Sequence, residues 1–269
     1  MPGLSRPIIM ILMAGAPGAG KTFSAVNLAL AFSLQGKRVM LLDMNPHPEN
    51  CGKVLNLAPE ATLRDFIEGK CPLKGIIRRG FGLEVIFCAS GDASPPGLII
   101  PDRNKIGLLR QHFASCDVMV VDCGNQNSME ELALPGIAPL TLMVSTPEPD
   151  AVTAVYALVK AMVAEHLGNR ISLLLNRVRD ERAALEAANN FEAITLRFLE
   201  RKYELLEMVP ETEIPFNPVF GSKPLMVSDA NNPASKKFLA AARKLAALRN
   251  AEVRLSENIV RKLIVSACR

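Results

Sequence analysis

The chain has no tryptophan, only two tyrosines, and aromatic residues at 5% of the total. Proteins that hold single-stranded nucleic acid need flat side chains on which bases can stack, so that class is disfavoured. None of the six cysteines (Cys51, Cys71, Cys88, Cys116, Cys123, Cys268) forms a Cys-x-x-Cys pair. The spacing of a zinc or iron–sulfur site is therefore missing. The apolar neighbours of Cys88, Cys116 and Cys123 read as those of reduced, buried thiols in a cytoplasmic protein. No apolar run is long enough to span a bilayer. Internal repeats and low-complexity tracts are absent as well.

What remains is the composition of an ordinary folded domain: 269 residues, 49% hydrophobic and 22% charged. That length suits one large α/β domain with a substantial core. The net charge of +4 is unevenly spread. From Lys236 onward nine basic residues face only Glu252 and Glu257. A basic tail on a mildly acidic body suggests an anionic surface as partner.

The most informative stretch is near the start. Ile8–Ala14 is a short apolar run with β-branched residues and reads as a buried strand. It leads into Gly15-Ala16-Pro17-Gly18-Ala19-Gly20-Lys21-Thr22, which fits G-x-x-x-x-G-K-S/T, the phosphate-binding loop. Glycines let backbone N–H groups close around an anion. Lys21 can reach β- and γ-phosphates, and the Thr22 hydroxyl can ligate Mg²⁺. Residues 23–32 then have helical spacing, which aims a positive helix end at the phosphates.

Apolar runs alternate with amphipathic stretches along the rest of the chain. This predicts a single-domain P-loop NTPase of the α/β class, a mostly parallel twisted sheet with helices on both faces. Further strands are expected at residues 38–43, 83–88, 117–122, 140–145, 171–176 and 203–209. Helices are expected at 62–68, from about 149 to 165, up to about 202, and from about 234. Residues 92–97 read as a loop, and so does the whole stretch 210–233. Asp122 follows four apolar residues in the Walker-B form, and at a strand's C-terminal end it faces the loop's phosphates. Asp43 ends another strand in the same way and is a second carboxylate for the metal. Lys21, Asp43 and Asp122 are thus the candidate catalytic groups, with Thr22, Asp43 and Asp122 at the metal.

These strings together resemble the MinD/ParA family of P-loop ATPases, specifically its FlhG (FleN or YlxH) branch. The resemblance rests on residues 15–43, 62–76, 82–91, 117–124, 145–162, 173–179 and 232–238. It implies an ATP-dependent dimer at a membrane surface that sets the number or place of flagella or division sites, with ATP or ADP and Mg²⁺ as ligands. Carried over by position, Gly15 to Thr22 hold the phosphates with the Phe23 backbone near the α-phosphate. Asn176 contacts adenine, and Pro210 and Glu211 line the base pocket. DNA binding is not favoured.

Two positions depart from the family pattern. The resemblance implies a lysine just after the first loop glycine, reaching the partner's phosphates across the dimer, and here that residue is Ala16. It also implies Asp-x-Asp after the second strand, and here the string is Asp43-Met44-Asn45. An amide cannot accept a proton from the attacking water, and Ala16 supplies no cation for transition-state charge. Losing a cationic finger costs roughly a thousandfold or more in phosphoryl transfer. Slow or partner-dependent hydrolysis is therefore expected. His47 could stand in as a base, or be an ordinary histidine of a Pro-rich turn.

The last segment divides from a nucleotide-binding domain of residues 1–250. In 251–269, Leu255, Ile259, Val260, Leu263 and Ile264 share one helical face, with Arg254, Arg261 and Lys262 largely off it. Such a helix can lie on an anionic membrane at the inner face of the cell, as family members' terminal helices do. It can equally pack on the body through the same face.

Overall fold

Strand β1, Ile8–Ala14, is buried along its whole length and lies inside an eight-stranded sheet. The other strands are β2 (Val39–Asp43), β3 (Ile77–Gly80), β4 (Leu83–Phe87), β5 (Val118–Asp122), β6 (Leu140–Ser145), β7 (Ile171–Val178) and β8 (Glu204–Pro210). In this computed structural model the described residues are 6–46, 50–88, 101–124, 133–167, 170–212, 223–248 and 253–268. His47 and the loop at 92–97 lie outside them. The strand order is β3-β4-β2-β5-β1-β6-β7-β8, parallel throughout except where β3 runs antiparallel to β4. This is the expected α/β architecture.

Two-residue periodicity along β1 divides the core. Ile9, Ile11 and Met13 point to one face, and Ile8, Met10, Leu12 and Ala14 to the other. Helices α1 (Lys21–Leu34) and α2 (Cys51–Leu55) cover the second face. The first face is covered by α3 (Leu63–Glu68), α4 (Arg103–Phe113), α5 (Pro149–Ala164) and α6 (Glu181–Leu199). Later in the chain, α7 (Leu225–Ser228) and α8 (Pro233–Ala246) join α1, while α9 (Glu257–Ala267) joins α3 and α4.

Register matters most between β2 and β5. At one end, Arg38 grips both carboxylate oxygens of Asp117 at 3.2 and 2.7 Å. Five residues further along, the same register sets Asp43 directly beside Asp122.

Some elements depart from the expected pattern. Ile-Arg-Arg-Gly carries no apolar run, yet it forms β3 because the Phe81-Gly82 turn, with φ of 54° and 77°, folds it back onto β4. Helix α4 carries Gly107 near its middle and is largely polar. Its Ile106, Leu109 and Phe113 are nevertheless fully buried, and Asp102 caps it by accepting the Lys105 amide at 2.8 Å. The stretch 210–233 is not all loop, since it contains α7.

The terminal helix takes the second of the two arrangements its sequence allowed, packing on the body. Leu255, Val260, Leu263 and Ile264 are 6%, 0%, 1% and 0% exposed, and Ile259 packs beside them in the first-face core. The Val253 amide donates to Pro7 O at 3.0 Å, and the Arg64 guanidinium donates to Cys268 O at 3.0 Å. In this arrangement the apolar face is unavailable to lipid, while Arg254, Arg261 and Lys262 face solvent. The division expected at residue 251 therefore separates no second core. The basic tail is also less free than its count suggests, because Lys237 and Lys244 pair with Glu207 at 3.0 and 3.1 Å.

Packing of this kind sets a measurable cost. Replacing Ile264 by Ala should lower unfolding free energy by about 2–5 kcal/mol in urea titration. A helix resting loosely on the surface would lose almost nothing.

Candidate functional site

The phosphate loop is shaped by what presses on it from two sides. A Cβ on Gly15 would lie 2.3 Å from the Val155 amide nitrogen and 2.4 Å from the Ala154 carbonyl carbon, so α5 seats directly on the loop. Gly20 has φ of 86°, and a Cβ there would meet Asn176 Nδ2 at 2.1 Å. That amide nitrogen donates to Ala19 O at 3.0 Å, tying β7 to the loop. Ala19 is buried, Ala16 is half-buried, and Pro17 and Gly18 are exposed.

Helix α1 begins at Lys21 with no side-chain cap and no acidic residue in its first turn. Its first N–H groups therefore remain open to an anion rather than being met by the protein itself. Phe23, in that first turn, packs edge-on against Phe238 of α8 with ring centroids 5.7 Å apart.

Two loop side chains converge on one buried carboxylate. Lys21 Nζ donates to Asp122 Oδ1 at 2.8 Å and also to the Cys123 carbonyl. The Thr22 hydroxyl donates to Asp122 Oδ2 at 2.7 Å. Burial works against the Lys21 charge, but Asp122, joined by Cys123 and Cys51, outweighs it and holds the ammonium above its ordinary pKa.

Asp43 is 1% exposed and stands beside Asp122. Its oxygens accept the Asn45 amide at 3.0 Å and the Cys51 amide at 2.9 Å. Burial, followed by the neighbouring Asp122, pushes its carboxyl up to about 7. A buried pair of carboxylates with a hydroxyl alongside is a hard-oxygen donor set, and Thr22, Asp43 and Asp122 fit a divalent cation such as Mg²⁺.

Cys51 was not among the expected site residues. It opens α2 behind the cap Asn50 and brings its thiol to Asp122 Oδ2 at 3.4 Å. Burial, then the two carboxylates, raise that thiol well above its ordinary pKa. The asparagine cap Asn50, seven residues beyond Asp43, marks the start of α2 but does not single out the thiol that follows it.

The remaining expected residues are spread along one edge. Asn176 lies within β7, not at its end, and its amide nitrogen gives one of its two N–H groups to Ala19 O. Pro210 ends β8, and the Glu211 amide donates to Val178 O at 3.0 Å. The Glu211 carboxylate pairs with Arg179, which holds it below the usual carboxylate range. Asn45 is 9% exposed and meets Asp43 through its backbone.

The raised Asp43 has a definite consequence for pH. Between its ordinary value of 3.8 and about 7, the folded protein holds this proton more tightly than the unfolded chain does. The contribution of Asp43 to stability therefore falls as pH rises through that window. Asp43→Asn should raise the melting temperature of the ligand-free protein more at about pH 8 than at about pH 5. Equal shifts at both values would mean that Asp43 titrates normally.

Comparison with known proteins agrees with this geometry. A profile of the CobQ/CobB/MinD/ParA nucleotide binding domain matches residues 10–94. The antiactivator FleN of Pseudomonas aeruginosa is 30% identical over 249 residues, covering 90% of this chain and 88% of FleN. The MinD cell division protein of Aquifex aeolicus superposes with a TM-score of 0.68 at 20% identity, over 89% of this chain and 97% of that one. The septum site-determining protein MinD of Pyrococcus horikoshii, solved in complex with Mg-ADP, does so with a TM-score of 0.66 at 18% identity, over 92% and 99%. This chain belongs to the MinD/ParA family of P-loop nucleotide-binding proteins, as FleN does.

Proposed function

We propose that this protein is a nucleotide-operated spatial regulator of the FleN/MinD kind, binding ATP or ADP with Mg²⁺ and hydrolysing ATP slowly or only with a partner. The observation that carries the reading is the convergence of Lys21 and Thr22 on Asp122, at 2.8 and 2.7 Å, beneath the uncapped start of α1. Those are the groups a triphosphate needs, assembled where the helix end opens.

In this reading Lys21 leaves Asp122 and the Cys123 carbonyl to reach the phosphates, while the Thr22–Asp122 bond keeps the hydroxyl aimed at the metal. Mg²⁺, when bound, neutralises charge on the phosphates. Asn176 sets the loop's shape through Ala19, and Pro210 and Glu211 border the base. Because α5 rests on Gly15 and β7 on Gly20, an occupied loop presses on both elements. Nucleotide-dependent dimer formation is then a change at this same surface.

Slow turnover follows from Ala16 and Asn45, which supply neither a cation nor a proton acceptor. No helix among the described residues is long and apolar enough to cross a membrane. We place the protein in the cytoplasm, acting with a partner protein at the inner face of the membrane. Direct contact with anionic lipid would require α9 to leave its bed on α3 and α4. The process served is flagellar number or placement, or positioning of the cell-division type.

Nucleotide binding and phosphate release on the purified chain test this. The unaltered protein should bind ATP with Mg²⁺, Lys21→Ala should abolish binding, and Ala16→Lys with Asn45→Asp should raise turnover by roughly a thousandfold. Hydrolysis as fast in the unaltered protein as in the double variant would overturn the slow-turnover reading.

A further inference from the structure

We propose that Cys51 turns the paired carboxylates into a thiophilic metal site, in which Asp43, Cys51 and Asp122 bind Zn²⁺ directly without nucleotide. Among the described residues these three side chains each bring one ligand atom within 4.8 Å of the other two, and all three are buried. They come from separate elements: the end of β2, the start of α2 and the end of β5.

The donor set decides the metal. Two carboxylates alone suit Mg²⁺, whereas a thiol beside them favours a softer ion such as Zn²⁺. The spacing agrees. A tetrahedral centre with Zn–S of about 2.3 Å and Zn–O of about 2.0 Å has an S-to-O edge of about 3.5 Å. The observed separation from Cys51 Sγ to Asp122 Oδ2 is 3.4 Å. The third ligand, Asp43, is held in place by the Asn45 and Cys51 amides at 3.0 and 2.9 Å. Asp122 Oδ1 remains with Lys21.

The thiol now donates toward Asp122 Oδ2. On metal entry that S–H bond breaks, a Zn–S bond forms in its place, and the thiol proton leaves to solvent, with the Asp43 proton following where that carboxyl is still protonated. A coordinated thiol is deprotonated by the ion itself. Water takes the fourth position, as in zinc sites with three protein ligands. Occupancy draws on the same Asp122 oxygen that holds the Thr22 hydroxyl, so bound zinc competes with a Thr22-held Mg²⁺ for it.

The experiment titrates Co²⁺ into the full chain, reduced and free of nucleotide, and reads the near-ultraviolet thiolate-to-cobalt absorption. The unaltered protein should show that band at one equivalent, and Zn²⁺ should bleach it. Cys51→Ser and Cys51→Ala, each checked for fold by circular dichroism, should lose the band. They should also bind Zn²⁺ at least about 100-fold more weakly, beyond the loss expected from removing a merely outer partner. Cys123→Ser keeps all three ligands and should retain the band. Absence of the band in the unaltered protein, or its survival in folded Cys51 variants, overturns the proposal. Since no nucleotide is present, failure of ATP binding and failure of this site are read separately.

Discussion

Two carboxylates side by side in a buried place are the constraint on which the site depends. Burying one ionised carboxyl is costly, and burying two next to each other is worse unless charge or hydrogen bonds answer them. The fold answers Asp122 with Lys21 and Thr22, and Asp43 with two backbone amides. The answer is incomplete for Asp43, whose carboxyl is pushed up to about 7. A cation entering here would relieve repulsion that the arrangement of the strands creates. The parallel pairing of β2 with β5 creates that repulsion, and the Arg38–Asp117 grip at the far end helps to keep it in register.

The loop above these carboxylates is not a free-standing motif. Gly15 admits the backbone of α5, and Gly20 admits the side chain of Asn176. Each glycine therefore admits a close contact with an element from the second half of the chain. Both contacts leave the loop closely packed against α5 and β7. At the C-terminus, α9 places its apolar face against α3 and α4 and is part of the main core.

Most of the sheet was legible because β1, β2 and β5 carry unbroken apolar runs and β4, β6 and β7 mostly apolar ones, the mark of strands covered on both faces. The edges were not. β3 has two arginines in four residues, and only its pairing with β4 makes it a strand. Helix α4 buries Ile106, Leu109 and Phe113 at helical spacing, but its polar remainder and Gly107 mask the signal. Within the site, Lys21, Thr22 and Asp122 were readable from the loop and the strand end. Cys51 was not, since nothing in its local sequence separates it from the other buried thiols. The metal-ligand spacing absent from the chain is assembled in space.

The sequence alone determined the phosphate loop, the strand before it, the helix after it, and the two strand-end aspartates, because each is specified by neighbours a few residues away. It also determined what is missing, since Ala16 and Asn45 are read without any coordinates. Tertiary structure decided where amphipathic faces go. The face of α9 satisfies the same pattern on lipid as on protein, and only the apolar bed formed by α3 and α4 selects between them. It likewise decided that Asp43, Cys51 and Asp122 meet, because side-chain distance across a sheet depends on strand order and register, which no local pattern encodes.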